Sequence, residues 1–101
     1  MATDKITVTI DKDIEDLIPG FLENRKKDVD SLRQALTNAN IESLESIGHS
    51  LKGVGGGYGF NGLSEIGAEI ERMAKSGEIA GISELIDRMA DYLDKIEIIF
   101  E

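Results

Sequence analysis

From residue 12 onward the apolar residues of this chain recur every three or four positions almost everywhere, and that spacing dictates amphipathic helices. Ile18, Phe21, Leu22, Val29, Leu32 and Leu36 form a first stripe. Ile14 and Leu17 suit a short helix leading into it, and Pro19 suits the first turn of the long one. Ile41, Leu44, Ile47, Leu51, Val54 and Tyr58 form a second stripe, opened by Asn40 as N-cap after the polar connector TNAN. A third runs Leu63, Ile66, Ile70 and Met73, with Asn61 at its start and Ser76-Gly77 as its stop. The fourth runs Ile82, Leu85, Ile86, Met89, Leu93, Ile96 and Phe100. Four such helices with short connectors predict an all-α fold, an antiparallel four-helix bundle with a short additional N-terminal helix. Only ITVTI, residues 6–10, alternates like a strand, and it reads as too short and too isolated to form a sheet.

A chain of 101 residues holds one hydrophobic core and is too short for two, so residues 1–101 are expected to be a single domain. The absence of cysteine excludes disulfides, thiolate metal sites and a cysteine nucleophile. A net charge of -9 argues against nucleic acid or an anionic membrane as partner. Without a long apolar run or a signal-peptide core in MATDKITVTIDKD, a soluble cytoplasmic protein is expected. The exposed faces show no obvious dimer seam, so a monomer is expected.

Against this regular background stands HSLKGVGGGYGF, residues 49–60, which begins with the only histidine of the chain. At about 100° per residue, the second stripe averages to a direction roughly 175° from His49, so the imidazole should point out of the bundle. Gly53 and Gly56 fall on the same outward face, with Lys52 and Glu45 flanking the histidine. Interior glycine costs a helix about 1 kcal/mol relative to alanine, so Gly53, Gly55, Gly56 and Gly57 require a reason. Bare backbone beside an exposed imidazole lets another macromolecule approach the ring. A neutral imidazole is a competent nucleophile at physiological pH, and Lys52 could offset the charge of a phosphoryl group.

Competing readings of the glycines fail on context. Gly57 to Gly62 spells G-x-G-x-x-G without a preceding strand or a βαβ unit. A P-loop would end in Gly-Lys and Ser or Thr, whereas this run ends in Gly-Phe. A likeness to an RNA-recognition motif lacks the sheet and the basic charge. Asp11, Asp13, Glu15 and Asp16 lack an EF-hand pattern and read as a solvated helix start, so no metal site is expected.

His49-Ser50-Leu51-Lys52-Gly53, followed by Gly59 and Leu63, resembles the H-x-L-K-G phosphoacceptor motif of histidine-containing phosphotransfer (HPt) domains, with its second glycine six residues after the first. The resemblance covers nearly the whole chain, from DIEDLIPGFLENRKKDVDSLRQAL through IESLESIGHSLKG to IGAEIERMAKSGEIAGISELIDRM. Tyr58-Gly59-Phe60 is also similar to the N-terminal phosphoacceptor domains of chemotaxis histidine kinases, in which a glutamate on the next helix orients the imidazole. Glu71 falls at the matching position, and a second histidine found near it in such kinases is replaced here by Ala68.

The resemblance implies a phosphocarrier of a two-component phosphorelay rather than a self-sufficient enzyme. His49 would accept the phosphoryl group on Nε2, Lys52 would be its charge partner, and Glu71 would hold the tautomer that leaves Nε2 free. Gly53, with Gly56, Gly57 and Glu45, would form the docking face for a response-regulator receiver domain. The partners implied are that receiver and a sensor histidine kinase, and any Mg2+ would sit on the partner, leaving this chain without a cofactor of its own. The alternative is a helical adaptor that docks receivers without carrying phosphate.

Overall fold

The computed structural model describes residues 5–101, so residues 1–4 of the expected domain lie outside the described residues. The short helix expected at the N-terminus is a 3-10 segment, Lys12–Leu17, started by the Asp11 carboxylate, which accepts from the Asp13 amide at 2.9 Å. It runs directly into α1, Ile18–Thr37, where Pro19 occupies the first turn and gives up no hydrogen bond there. Asn40 caps α2, Ile41–Tyr58, by accepting from the Ser43 amide at 3.1 Å. Gly59, at φ 93°, turns the chain out of α2, and the Phe60 amide donates back to the Gly55 carbonyl at 2.7 Å. Helix α3, Asn61–Ser76, ends at Gly77 with φ 80°, the stop that the sequence predicts. A 3-10 turn, Ile79–Gly81, leads into α4, Ile82–Lys95.

The four helices pack as a bundle whose centre is filled by Leu32, Leu44, Leu51, Phe60, Leu63, Ile70, Ile82, Ile86 and Met89, all fully buried. Phe21 of α1 stacks on Tyr58 and Phe60, with ring centroids 4.5 and 5.0 Å away, tying α1 to the end of α2. Among the described residues no helix is long and apolar enough to cross a membrane.

Two expectations are corrected at the chain ends. ITVTI is not isolated: it forms β1, Ile6–Ile10, paired in parallel with β2, Ile96–Phe100, in the register Ile6 to Ile96 through Ile10 to Phe100. Ile96 and Phe100 therefore belong to a strand and not to the fourth helix, which stops at Lys95 when Ile96 takes extended angles of φ -69° and ψ 138°. A parallel pair needs a long crossover, and here the whole bundle supplies it. The strands gain from the pairing because Val8 and Ile10 are buried against the core, with Ile98 and Phe100 packed beside them. Backbone bonds from the Lys12 amide to the Glu101 carbonyl and from the Glu101 amide to the Ile10 carbonyl, each 3.0 Å, close the ladder.

Candidate functional site

Helices α2 and α3 approach so closely that three positions of their seam have no room for a side chain. A Cβ on Gly67 of α3 would lie 2.7 Å from both the Leu51 Cβ and the Lys52 amide nitrogen, and 2.8 Å from the Gly48 carbonyl. One on Gly48 would meet the Glu71 amide at 2.8 Å, and one on Gly55 the Ser64 amide at 2.7 Å. The glycines thus divide into two sets with different reasons. Gly48, Gly55 and Gly67 allow the backbones to touch, whereas Gly53 and Gly57 face open space. Gly56 is exposed, with its nearest neighbour the Ser64 hydroxyl at 3.6 Å. Gly55, grouped by the sequence reading with glycines of an open face, is buried in the seam.

This proximity brings three charged or titratable groups of the two helices onto one carboxylate. The Glu71 side chain on α3 is only 10% exposed, and Glu71 is the one charged residue that is buried among the described residues. Burial of a carboxylate requires partners, and it has them. The Lys52 ammonium of α2 lies 3.0 Å from Oε1. The His49 Nδ1 of α2 lies 2.9 Å from Oε2. The Lys75 ammonium, one turn further along α3, lies 3.6 Å from the same Oε2. The Lys52 hydrogen bond holds the Glu71 carboxyl below the usual carboxylate range; burial opposes this, and the His49 hydrogen bond reinforces it. The Ser64 hydroxyl of α3 donates to the Lys52 carbonyl at 2.7 Å, which pins the backbone that carries Lys52.

His49 itself projects outward, its side chain 69% exposed, where the helical wheel placed it. An open groove beside it is lined by Glu42, Glu45, Ser46, His49 and Glu71, so Glu45 of the expected docking set borders the imidazole. His49, Lys52 and Glu71 are brought together, with Gly53, Gly56 and Gly57 continuing along α2 on its C-terminal side. The sequence reading missed Lys75, although its position four residues after Glu71 is a signal for an ion pair. It also missed the seam glycines Gly48 and Gly67, whose partner contacts lie on different helices. Among the described residues no group of acidic or histidine side chains is arranged to hold a metal ion.

The fold and the site together define a helical bundle that presents an exposed imidazole on one helix above a buried carboxylate on the next. Residues 16–98 match the Hpt domain family, and the chain belongs to it. Searches among curated proteins and among solved structures find no significant match. Hpt domains perform histidine phosphotransfer in phosphorelays, as phosphocarriers rather than catalytic enzymes, and they interact with two-component partners.

Proposed function

We propose that His49 carries the phosphoryl group and that Nε2 is the acceptor atom. The observation that supports this most is the buried Glu71 carboxylate at 2.9 Å from Nδ1 of an otherwise exposed imidazole. An ionised carboxylate only accepts hydrogen bonds, so Nδ1 carries the ring proton and Nε2 keeps its lone pair. That lone pair attacks the phosphorus of an aspartyl phosphate on a receiver domain, or the γ-phosphorus of ATP held by a kinase. The N–P bond forms as the P–O bond breaks, and the carboxylate or ADP leaves with the electron pair. No proton has to depart: the ring becomes a phosphoryl imidazolium, its Nδ1–H still donating to Glu71, whose charge offsets the cation. Lys52 offsets the negative charge of the transferred group, and the reverse step delivers that group to a receiver aspartate.

The partners in this reading are a receiver domain and a sensor kinase, with Mg2+ bound on the partner. Residues 1–101 act as one cytoplasmic, monomeric domain, and the net charge of -9 disfavours nucleic acid and anionic membranes. The receiver approaches over Gly53, Gly56 and Gly57, with Glu45 at the edge of its footprint.

The deciding assay offers phosphorylated receiver domains to the protein and tests the label for acid lability and base stability. Label with that signature supports a phosphohistidine carrier; receivers that bind without transferring label would leave an adaptor. Glu71→Gln removes the obligate acceptor, and transfer is expected to slow by roughly ten- to a hundredfold, the range found when the partner orienting a metal-bound histidine is lost. A Glu71→Gln rate equal to wild type would sink the tautomer argument. Gly53→Ala is expected to raise stability by about 1 kcal/mol, because its Cβ meets open space. Gly53→Phe should slow transfer from the receiver while the helix stays intact, and unchanged kinetics would remove Gly53 from the docking face.

A further inference from the structure

Glu71 has two oxygens and three cationic or hydrogen-donating neighbours, and the uneven sharing among them has a consequence for His49. Among the described residues Lys52 is the charged partner of Oε1, whereas Oε2 is shared by His49 Nδ1 and the Lys75 ammonium. The terminal torsion of a glutamate is broad, so one cation on Oε1 leaves the carboxylate plane free to swing. A second cation on the Oε2 side restricts that swing and keeps an Oε2 lone pair directed at the imidazole. Lys75 is well placed for this, since a glutamate one turn N-terminal to a lysine is the favourable order on a helix. Its side chain is 59% exposed, so the fold does not depend on burying it.

We infer that Lys75 is a positioning residue of the phosphotransfer site, acting through Glu71 to hold His49 in the Nδ1–H tautomer with Nε2 free. This rests on the reading of His49 as acceptor and adds to it a residue that lies outside the H-x-L-K-G motif. The Lys52 hydrogen bond, reinforced by His49, already keeps Glu71 ionised, so Lys75, 3.6 Å from Oε2, acts on the direction of the carboxylate and not on its charge. The other ionisable groups that line the groove with His49 and Glu71 are Glu42 and Glu45, which are carboxylates and cannot substitute for a cation.

The test is 15N NMR of the His49 ring in the wild type, Lys75→Met, Lys75→Arg, Glu71→Gln and the Glu71→Gln/Lys75→Met double variant, with phosphotransfer rates from one receiver alongside. Lys75→Met is expected to lower the Nδ1–H population and to slow transfer about two- to fivefold, the factor that a partly exposed ion pair corresponds to. Lys75→Arg should restore both, and Lys75→Met should cost nothing further in the Glu71→Gln background. A wild-type tautomer population in Lys75→Met overturns the inference. So does an equal further slowing in the Glu71→Gln background, because Lys75 would then act on the phosphoryl group directly. The tautomer measurement needs no phosphoryl transfer, so a wild type that takes no label at His49 would defeat the acceptor reading and leave the role of Lys75 to be judged by NMR.

Discussion

His49→Gln is expected to lose phosphoryl acceptance completely while keeping its helicity and its melting temperature close to wild type. The loss follows from chemistry: a glutamine amide nitrogen has no available lone pair, and no other histidine exists in the chain to take over. The retained fold follows from placement. The imidazole is mostly exposed and fills no part of the core, and glutamine is a better helix former than histidine. Glu71 keeps Lys52 and Lys75 as charge partners, so its burial remains compensated. Stability should therefore change by no more than about 0.5 kcal/mol, the usual range for surface substitutions. Circular dichroism, thermal melts and the receiver-transfer assay together check both halves. Label retained on the variant would move the acceptor elsewhere, and a large drop in melting temperature would contradict the outward placement of the ring.

Gly67→Val is expected to have the largest effect on stability, and through it on the site. Two of the three atoms that its Cβ would approach within 2.8 Å belong to the backbone of α2, which cannot move aside as a flexible side chain could. Overpacking of a closed seam costs about 1–3 kcal/mol, and the upper end applies where backbone must give way. For a domain of this size that corresponds to a fall of roughly 10–25 °C in melting temperature. Because Glu71 lies one turn beyond Gly67, the separation should also lengthen the contact with His49 and slow transfer. Gly53→Ala supplies the internal contrast, a glycine on the same pair of helices whose substitution meets no atom within 4 Å. A Gly67→Val protein that melts like wild type would mean that the helices tolerate a wider spacing than the seam geometry allows.

The contrast between these glycines shows how much of the site was legible beforehand. The outward direction of His49 needed only the 3.6-residue period and the apolar stripe of its own helix, both local properties. The pairing with Glu71 came from a family resemblance, and the structure supplies the distances. Why glycine occupies positions 48, 55 and 67 could not be read locally, because each is required by backbone atoms of the other helix. From sequence they could only be counted as a cost to α2 or passed over. Lys75 lay within reach of an i, i+4 rule, but that rule gains meaning only once Glu71 is known to be buried and shared.

The chain ends make the same point for the fold. Leu93, Ile96 and Phe100 continue a helical spacing, and a short apolar run of this kind suits a strand equally well. Tertiary structure settles it, since the β1 segment from the opposite end of the chain can pair only with extended backbone. The sequence by itself determined four amphipathic helices, their caps at Asn40 and Gly77, and an exposed histidine with Lys52 and Gly53 beside it, because each depends on neighbours within a turn or two. Only the tertiary structure decided the parallel pairing of the two ends, the glycine seam between α2 and α3, and the gathering of His49, Lys52 and Lys75 on one buried carboxylate, because those depend on how closely distant backbones can approach.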